Sequence, residues 1–309
     1  MLQGLVIKSA GFTFTVRTDD GQVHDTCRIK GNFRIRGIRT TSPVAIGDIV
    51  SIEPQADGTA WITGVQQRRN YIIRRASNLS KESQIMAANI DLAALVVTIN
   101  HPKTLFTFVD RFLCTAEAYR IPACLIFNKT DLYNQEDLSE LKYKEQLYHS
   151  LGYDCYRTVA LQPDSTRTLA AVFKNKTVLL AGNSGVGKST LLNQLSGQSV
   201  ARTANLSTAH DKGMHTTTFT EMYQLPDGGW ILDSPGVRGF GMVDMKSEEI
   251  DHYFREIFQH AKKCRFSNCL HLNEPGCAVL KAAEEGLIDP CRMESYYSMM
   301  EECEQGKYR

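Results

Sequence analysis

Three patterns predict an α/β core with a mostly parallel sheet, set between a small N-terminal β-barrel and a C-terminal helical segment. Up to about Asn78, short strand-like runs are separated by turn signals. From about Ile90, apolar runs of strand length alternate with helical stretches. Beyond Met245 no strand-like run recurs, and the chain reads as helical around a cysteine-rich interruption at 264–277. Alternating buried strands and helices are the pattern of a parallel sheet covered on both faces. The 309 residues have room for two or three domains of ordinary size. The changes of pattern divide them into 1–78, 79–245 and 246–309.

In the first segment the strand runs are GLVIKSAGFTFTVRT, QVHDTCRI, DIVSIEP and AWITGVQQ, punctuated by Asp20-Gly21, Lys30-Gly31-Asn32 and Asp57-Gly58. Five or so strands in so short a stretch suit a closed barrel, because closure removes exposed edges. An OB-fold is expected, with an SH3-like barrel as the alternative. Charge is uneven on a chain of net +1: residues 1–75 carry 11 basic against 6 acidic side chains, and residues 246–309 carry 9 against 12. Arg28, Lys30, Arg34, Arg36 and Arg39 gather around Phe33, and Arg68, Arg69, Arg74 and Arg75 flank Tyr71. Such groups neutralise phosphates and stack on unpaired bases, so RNA contact is expected of the first cluster. A solvated barrel edge would account for the same charges.

In the middle segment, strands are expected at Leu92–Thr98, Ala123–Phe127, Thr177–Ala181 and Gly229–Leu232, and helices at Phe106–Tyr119 and Glu136–Ser150. Gly182-Asn183-Ser184-Gly185-Val186-Gly187-Lys188-Ser189 matches the P-loop pattern, with a buried-strand run before it and a helix beginning Thr190-Leu191-Leu192 after it. Its glycines allow close backbone approach, so successive N–H groups and the helix N-terminus face the phosphates of a nucleotide. Lys188 supplies a point charge and Ser189 a hydroxyl for Mg²⁺. Asp233, of Asp233-Ser234-Pro235-Gly236, lies 45 residues after Lys188 at a strand end. It suits a second Mg²⁺ contact, with the Gly236 N–H placed for the γ-phosphate. Between them, Gly213-Met214-His215-Thr216-Thr217-Thr218 reads as a switch loop in which Thr217 completes the Mg²⁺ shell.

Asn128-Lys129-Thr130-Asp131 follows the strand run ACLIF. The tetrad N-K-x-D selects guanine: the Asp131 carboxylate accepts two bonds that adenine cannot donate, a mismatch worth about 10⁴-fold or more. Asn128 would reach N7, the Lys129 stem would lie over the base, and Thr158-Val159-Ala160 would support it. The order is reversed relative to ordinary GTPases, since Asp131 precedes Gly182 by 51 residues. Circular permutation preserves site geometry when termini lie at the surface. It also sends the strand of Asp233 into the C-terminal segment, giving a path for nucleotide-dependent motion. In that segment, Cys264-x4-Cys269-x-His271-x5-Cys277 is a Cys₃His set suited to a structural Zn²⁺. Cys291 and Cys303, and the scattered Cys27, Cys114, Cys124 and Cys155, are expected to pack as small apolar residues.

The joint order NKTD, GNSGVGKST, GMHTTT, DSPG and CRFSNCLHLNEPGC resembles the circularly permuted GTPases of the ribosome small-subunit-dependent GTPase A type, over nearly the whole chain. That resemblance implies an N-terminal OB-fold, a circularly permuted P-loop GTPase domain and a helical zinc-binding domain. It further implies binding to the small ribosomal subunit and its 16S rRNA, a role late in the subunit's maturation, and GTP hydrolysis stimulated by the subunit. Ras-like proteins place a water-orienting glutamine where this chain has Val237, so unaided turnover should be slow. Lys188, Thr217 and His215 form the expected catalytic set, with His215 as the local candidate for orienting water and Arg238 more distant. A P-loop ATPase or kinase with an incidental NKTD is one rival; a GTP-binding switch for another RNA or protein, with little hydrolysis, is the other.

Composition sets the remaining bounds. A chain 42% hydrophobic and 22% charged is neither disordered nor fibrous. No apolar run approaches the roughly 18–20 residues that span a bilayer, and MLQGLVIKSAGFTF lacks the charged-then-apolar pattern of a secretory leader. A cytoplasmic monomer without membrane contact is expected. Nine cysteines, an odd count with three in one short segment, favour a metal site over disulfides.

Overall fold

The computed structural model describes residues 1–31, 42–75, 83–197, 199, 221–233 and 245–304. Arg34, Arg36, Arg39, His215, Thr217, Gly236, Val237 and Arg238 lie outside the described residues. The chain forms two compact units. One comprises Met1–Ala94, Val159–Gly182 and Gly187–Gly239; the other comprises Leu95–Thr158, Asn183–Val186 and Phe240–Arg309.

In the first unit, β1 (Leu2–Ala10), β2 (Thr13–Thr18), β3 (Val23–Ile29), β4 (Ile49–Pro54) and β5 (Ala60–Val65) pair in the order β1-β2-β3-β5-β4, and β4 returns to β1 at Leu2↔Ile52. The closed ring with β3 parallel to β5, Cys27 opposite Ala60, is OB-fold connectivity rather than SH3-like. Alternate residues point inward: Val6, Phe14, Val16, Cys27, Val50, Ile52 and Ile62 are essentially inaccessible. That is the period-two signal read from the sequence. Gly4 sits where β1 and β2 approach, and a Cβ there would meet the Arg17 carbonyl oxygen at 2.6 Å.

The segment after the barrel departs from the reading as a basic exit cluster. β6 (Tyr71–Arg75) and β7 (Ser83–Ala88) form an antiparallel pair. Arg68 is not a free phosphate contact. Its Nε and Nη2 donate to the two carboxylate oxygens of Asp48 at 2.7 and 2.6 Å, and the side chains are 6% and 0% exposed. A bidentate pair of this burial is a structural clamp. Arg69 is more exposed and pairs with Asp91 at 2.8 Å.

The rest of the first unit's sheet runs β8 (Leu92–Val97), β11 (Thr177–Gly182), β13 (Trp230–Asp233), β12 (Glu221–Gln224) and then β1. β11 and β13 are parallel, whereas β12 is antiparallel to both β13 and β1. The strand that follows the threonine-rich stretch in sequence is thus hydrogen-bonded to the barrel, with Lys8 opposite Glu221 and the two side chains 3.2 Å apart. Arg17 of β2 also donates to Gln224 at 2.6 Å and lies over the Trp230 ring. Helices α3 (Pro163–Phe173) and α4 (Lys188–Ser196) belong to this unit.

The second unit contains the end of β8, followed in the sheet by β9 (Ala123–Phe127) and β10 (Asp154–Arg157), the last two parallel. Its helices are α1 (Phe106–Ala118), α2 (Gln135–Ser150), α5 (Arg255–Ala261), α6 (Ala278–Glu284) and α7 (Pro290–Glu304). A reciprocal box between Asn134 and Asp137 starts α2, satisfying two donors that a helix N-terminus otherwise leaves open. Ile250, Phe254, Ile257, Val279, Ile288, Met293, Tyr296 and Met299 build a core that also takes Cys114 of α1. Arg292 of α7, 1% exposed, donates to Asp110 of α1 and Glu256 of α5, each at 2.6 Å. No strand occurs beyond Met245 among the described residues.

Candidate nucleotide site and metal centre

β11 ends at Gly182 and α4 begins at Lys188, so the P-loop is the turn between a buried strand and a helix, as its sequence requires. Gly182, Gly185 and Gly187 take φ of 144°, 82° and 99°, a region that side chains other than glycine's rarely tolerate. Asn183 is half-buried, Ser184 and Gly185 are exposed and Val186 is inaccessible. The apolar side chain anchors the loop while the exposed backbone faces out.

Lys188 Nζ donates to the Gly182 carbonyl at 2.6 Å, arching back over the loop. Burial pulls its ammonium below the ordinary lysine range, and the charge of Asp233 opposes that shift. Asp233 sits at the end of β13, in register with Leu180 of β11. Burial raises its carboxyl, Lys188 counters, and its Oδ1 is buried without a hydrogen-bond partner among the described residues. A buried carboxylate oxygen left open is costly unless something fills its coordination. Together with the half-buried Ser189 hydroxyl, it forms a set of hard oxygen donors that fits Mg²⁺. Thr190 continues α4, and with Ala160, Leu161, Asn193, Gln194, Gly197 and Ser199 it lines a cleft of about 440 Å³.

The NKTD tetrad begins where β9 leaves the sheet. Asn128 is 1% exposed, and both ends of its amide are committed: Nδ2 donates to the Val186 carbonyl at 2.8 Å, and Oδ1 accepts from the Thr158 hydroxyl at 3.0 Å. One side chain thereby ties the tetrad to the P-loop and to the loop after β10. Lys129 adopts φ 61° and donates from Nζ to the His101 carbonyl at 2.7 Å. Pro102 lies 3.6 Å or less from where a Cβ on Gly185 would stand, so the loop after β8 also braces the P-loop. Asp131 occupies an exposed 3₁₀ turn, Thr130–Leu132. Thr158 is buried and its backbone N–H donates to the Phe127 carbonyl; Val159 is held by Ser165, and Ala160 is buried. Sequence reading missed Tyr133 and the loop carrying His101, which no motif marks.

The four expected metal ligands come together. One donor atom each from Cys264, Cys269, His271 and Cys277 lies within 4.8 Å of the others. Cys264 Sγ is 3.9 Å from Cys277 Sγ and 3.6 Å from His271 Nδ1, which is 3.4 Å from Cys277 Sγ. A tetrahedral zinc with bonds of about 2.3 Å to sulfur holds its ligands roughly 3.8 Å apart, so the cluster can bind Zn²⁺. Asp251 stands 3.4 Å from His271 Nε2, leaving Nδ1 for the metal, and the Ala278 and Leu280 N–H groups donate to the Cys264 and Cys277 sulfurs. Such partners orient ligands and tune the ion. Asp251 lies too far from the motif for sequence to nominate it.

Of the barrel's expected RNA contacts, Arg28 and Lys30 are exposed, and Lys30 is paired with Glu53 at 2.7 Å. Cys27, Cys114 and Cys124 are buried as expected, and Cys155 and Cys303 partly so. Cys291 is a correction. It donates to Asp289 at 2.7 Å and lies 3.1 Å from Lys144 Nζ, so it serves a polar contact rather than apolar filling. No helix among the described residues is long and apolar enough to cross a membrane.

Residues 65–243 match the family model for the RsgA GTPase, and residues 3–62 match the RsgA N-terminal domain. The small ribosomal subunit biogenesis GTPases RsgA of Phocaeicola vulgatus and Bacteroides fragilis are each 51% identical over 308 residues, covering 100% of this chain and 99% of theirs. The crystal structure of YjeQ from Thermotoga maritima is similar at a TM-score of 0.77 and 31% identity, covering 98% of both chains. That of YloQ, described as a circularly permuted GTPase, is similar at 0.76 and 28%, covering 100% of this chain and 97% of its own. With P-loop, NKTD tetrad and Cys₃His cluster built in permuted order on that fold, the chain belongs to the RsgA GTPase family.

Proposed function

We propose that this protein is a cytoplasmic, Mg²⁺-dependent GTPase that acts as a monomer on the small ribosomal subunit late in its maturation. The subunit stimulates hydrolysis, and hydrolysis drives release. The relatives that match it end to end are named small ribosomal subunit biogenesis GTPases. The observation that carries the reading is the Asn128 amide held by Val186 and Thr158: the guanine tetrad and the phosphate loop, reversed in sequence, are bonded to each other.

In this reading the domains are 1–78, 79–245 and 246–309. Lys188 and the P-loop N–H groups of 182–190 bind the phosphates, and Ser189, Thr217 and Asp233 hold Mg²⁺. Lys129 covers the base, Asp131 reads guanine with Thr158, Val159 and Ala160 behind it, and Asn128 reaches N7 while fixing their spacing. His215 orients water and Gly236 meets the γ-phosphate. Arg28, Lys30, Arg34, Arg36 and Arg39 face 16S rRNA, without any membrane contact. The strand that follows Thr217 in sequence, β12, is paired with barrel strand β1.

The test is the GTPase rate with and without purified small subunits. Stimulation by orders of magnitude is expected. A rate unchanged by subunits would favour the alternative, a GTP-binding switch for another RNA or protein, which Val237 makes the natural second reading.

A further inference from the structure

Tyr133 lies just beyond the guanine tetrad, between the 3₁₀ turn and the cap of α2. It is 9% exposed, and its hydroxyl makes two bonds. It accepts from the Ile99 N–H at 2.8 Å and donates to the Asn128 carbonyl at 2.7 Å. Those two groups sit at the ends of neighbouring strands. The Asn128 N–H still reaches the Val97 carbonyl at 2.9 Å, after which β8 and β9 part company. One chain turns into the loop with His101 and Pro102, and the other becomes the tetrad. The phenol oxygen occupies the gap where they part and bonds one strand end on each side.

We propose that Tyr133 is a positioning residue for guanine recognition, setting the Lys129–Asp131 turn at the height the base requires. The inference rests on the guanine reading of Asp131 given above. The hydroxyl fixes the carbonyl of Asn128, the residue before Lys129, whose left-handed φ of 61° is unfavourable for a lysine and persists only where the surroundings dictate it. From the other side it fixes Ile99, and so the loop whose His101 carbonyl receives Lys129 Nζ. Both arms of the lysine's restraint therefore converge on one oxygen. Burial pushes the Tyr133 phenol up to about 12, so it remains a hydroxyl able to donate and accept throughout the physiological range.

The test is Tyr133→Phe, compared with the parent and with Asp131→Asn for binding of GDP, IDP and inorganic pyrophosphate to the full-length protein. IDP lacks the exocyclic amine, so it forms one fewer bond to Asp131 and serves as the gauge of alignment. GDP affinity is expected to fall about tenfold, the GDP-over-IDP preference to narrow, and pyrophosphate binding to stay within twofold. Tyr133→His, whose shorter ring brings no nitrogen to the hydroxyl's position, should narrow the preference in the same way. If Tyr133→Phe weakens GDP and IDP equally, or weakens pyrophosphate as much as either, Tyr133 is merely structural and the inference is overturned. If Asp131→Asn itself leaves the preference unchanged, the guanine reading has failed instead. Should Tyr133→Phe prove unfolded, Tyr133→His alone decides: a GDP-over-IDP ratio equal to the parent's overturns the inference, and a narrowed one supports it.

Discussion

Asn128→Ala isolates the bond that makes one site of two motifs. The substitution leaves the Thr158 hydroxyl and the Val186 carbonyl without the amide that now pairs them, and both residues are at most 1% exposed. An orphaned buried polar group costs about 1–3 kcal/mol. Allowing for partial relaxation, the two together cost about 2–4 kcal/mol. If that loss falls on nucleotide binding, it weakens GDP by about thirty- to several-hundred-fold, since about 1.4 kcal/mol is a factor of ten. Thr158→Val removes only the hydroxyl and should cost about tenfold. The double variant should fall short of the sum of the singles by about 1 kcal/mol or more, because the two changes share one contact. Fluorescent GDP titration gives the affinities, and thermal unfolding of nucleotide-free protein separates binding from folding. A loss under threefold in Asn128→Ala, with unchanged unfolding, would refute the idea that this amide sets the site.

Four further outcomes are expected. Asp131→Asn should shift preference from GTP towards xanthosine triphosphate, whose ring offers an acceptor where guanine offers an amine; unchanged selectivity in competition binding contradicts the base assignment. Asp251→Ala should lower zinc affinity by about 10–100-fold in a chelator competition, because the ring of His271 loses its outer partner, and an unaltered affinity counts against that role. Arg292→Met should destabilise the protein by about 3–5 kcal/mol in urea unfolding, since Asp110 and Glu256 stay buried without their cation; a loss under about 1 kcal/mol would contradict it. Small-subunit binding should weaken steeply with salt, and the double change Arg34→Ala with Arg36→Ala should flatten that dependence; a binding curve indifferent to salt removes the charge argument.

What was legible in the sequence is what local chemistry dictates. The barrel strands follow from alternation, and Gly21 and Gly58 take the positive φ that their turn dipeptides announce. The P-loop and NKTD are legible because phosphate and guanine each demand particular groups at fixed spacing. The Cys₃His set is legible for the same reason. What remained hidden lies in partners distant along the chain. Arg68 reads as a surface charge until Asp48 is found beside it, and Cys291 reads as apolar until Asp289 and Lys144 are in place. Tyr133 is an ordinary aromatic in the sequence; only the parting of β8 and β9 gives its hydroxyl a purpose. The pairing of β12 with β1 was equally invisible, because permutation predicts a covalent path to the C-terminal segment and says nothing about hydrogen-bonded neighbours.

The most direct measurement is the distance from the Asp131 carboxylate to the purine in a crystal structure of the protein with GDP and Mg²⁺. Both carboxylate oxygens should stand within hydrogen-bonding reach of guanine N1 and N2, with Lys188 on the β-phosphate of the same molecule. A nucleotide seated on Lys188 with its base turned away from Asp131 would contradict the account.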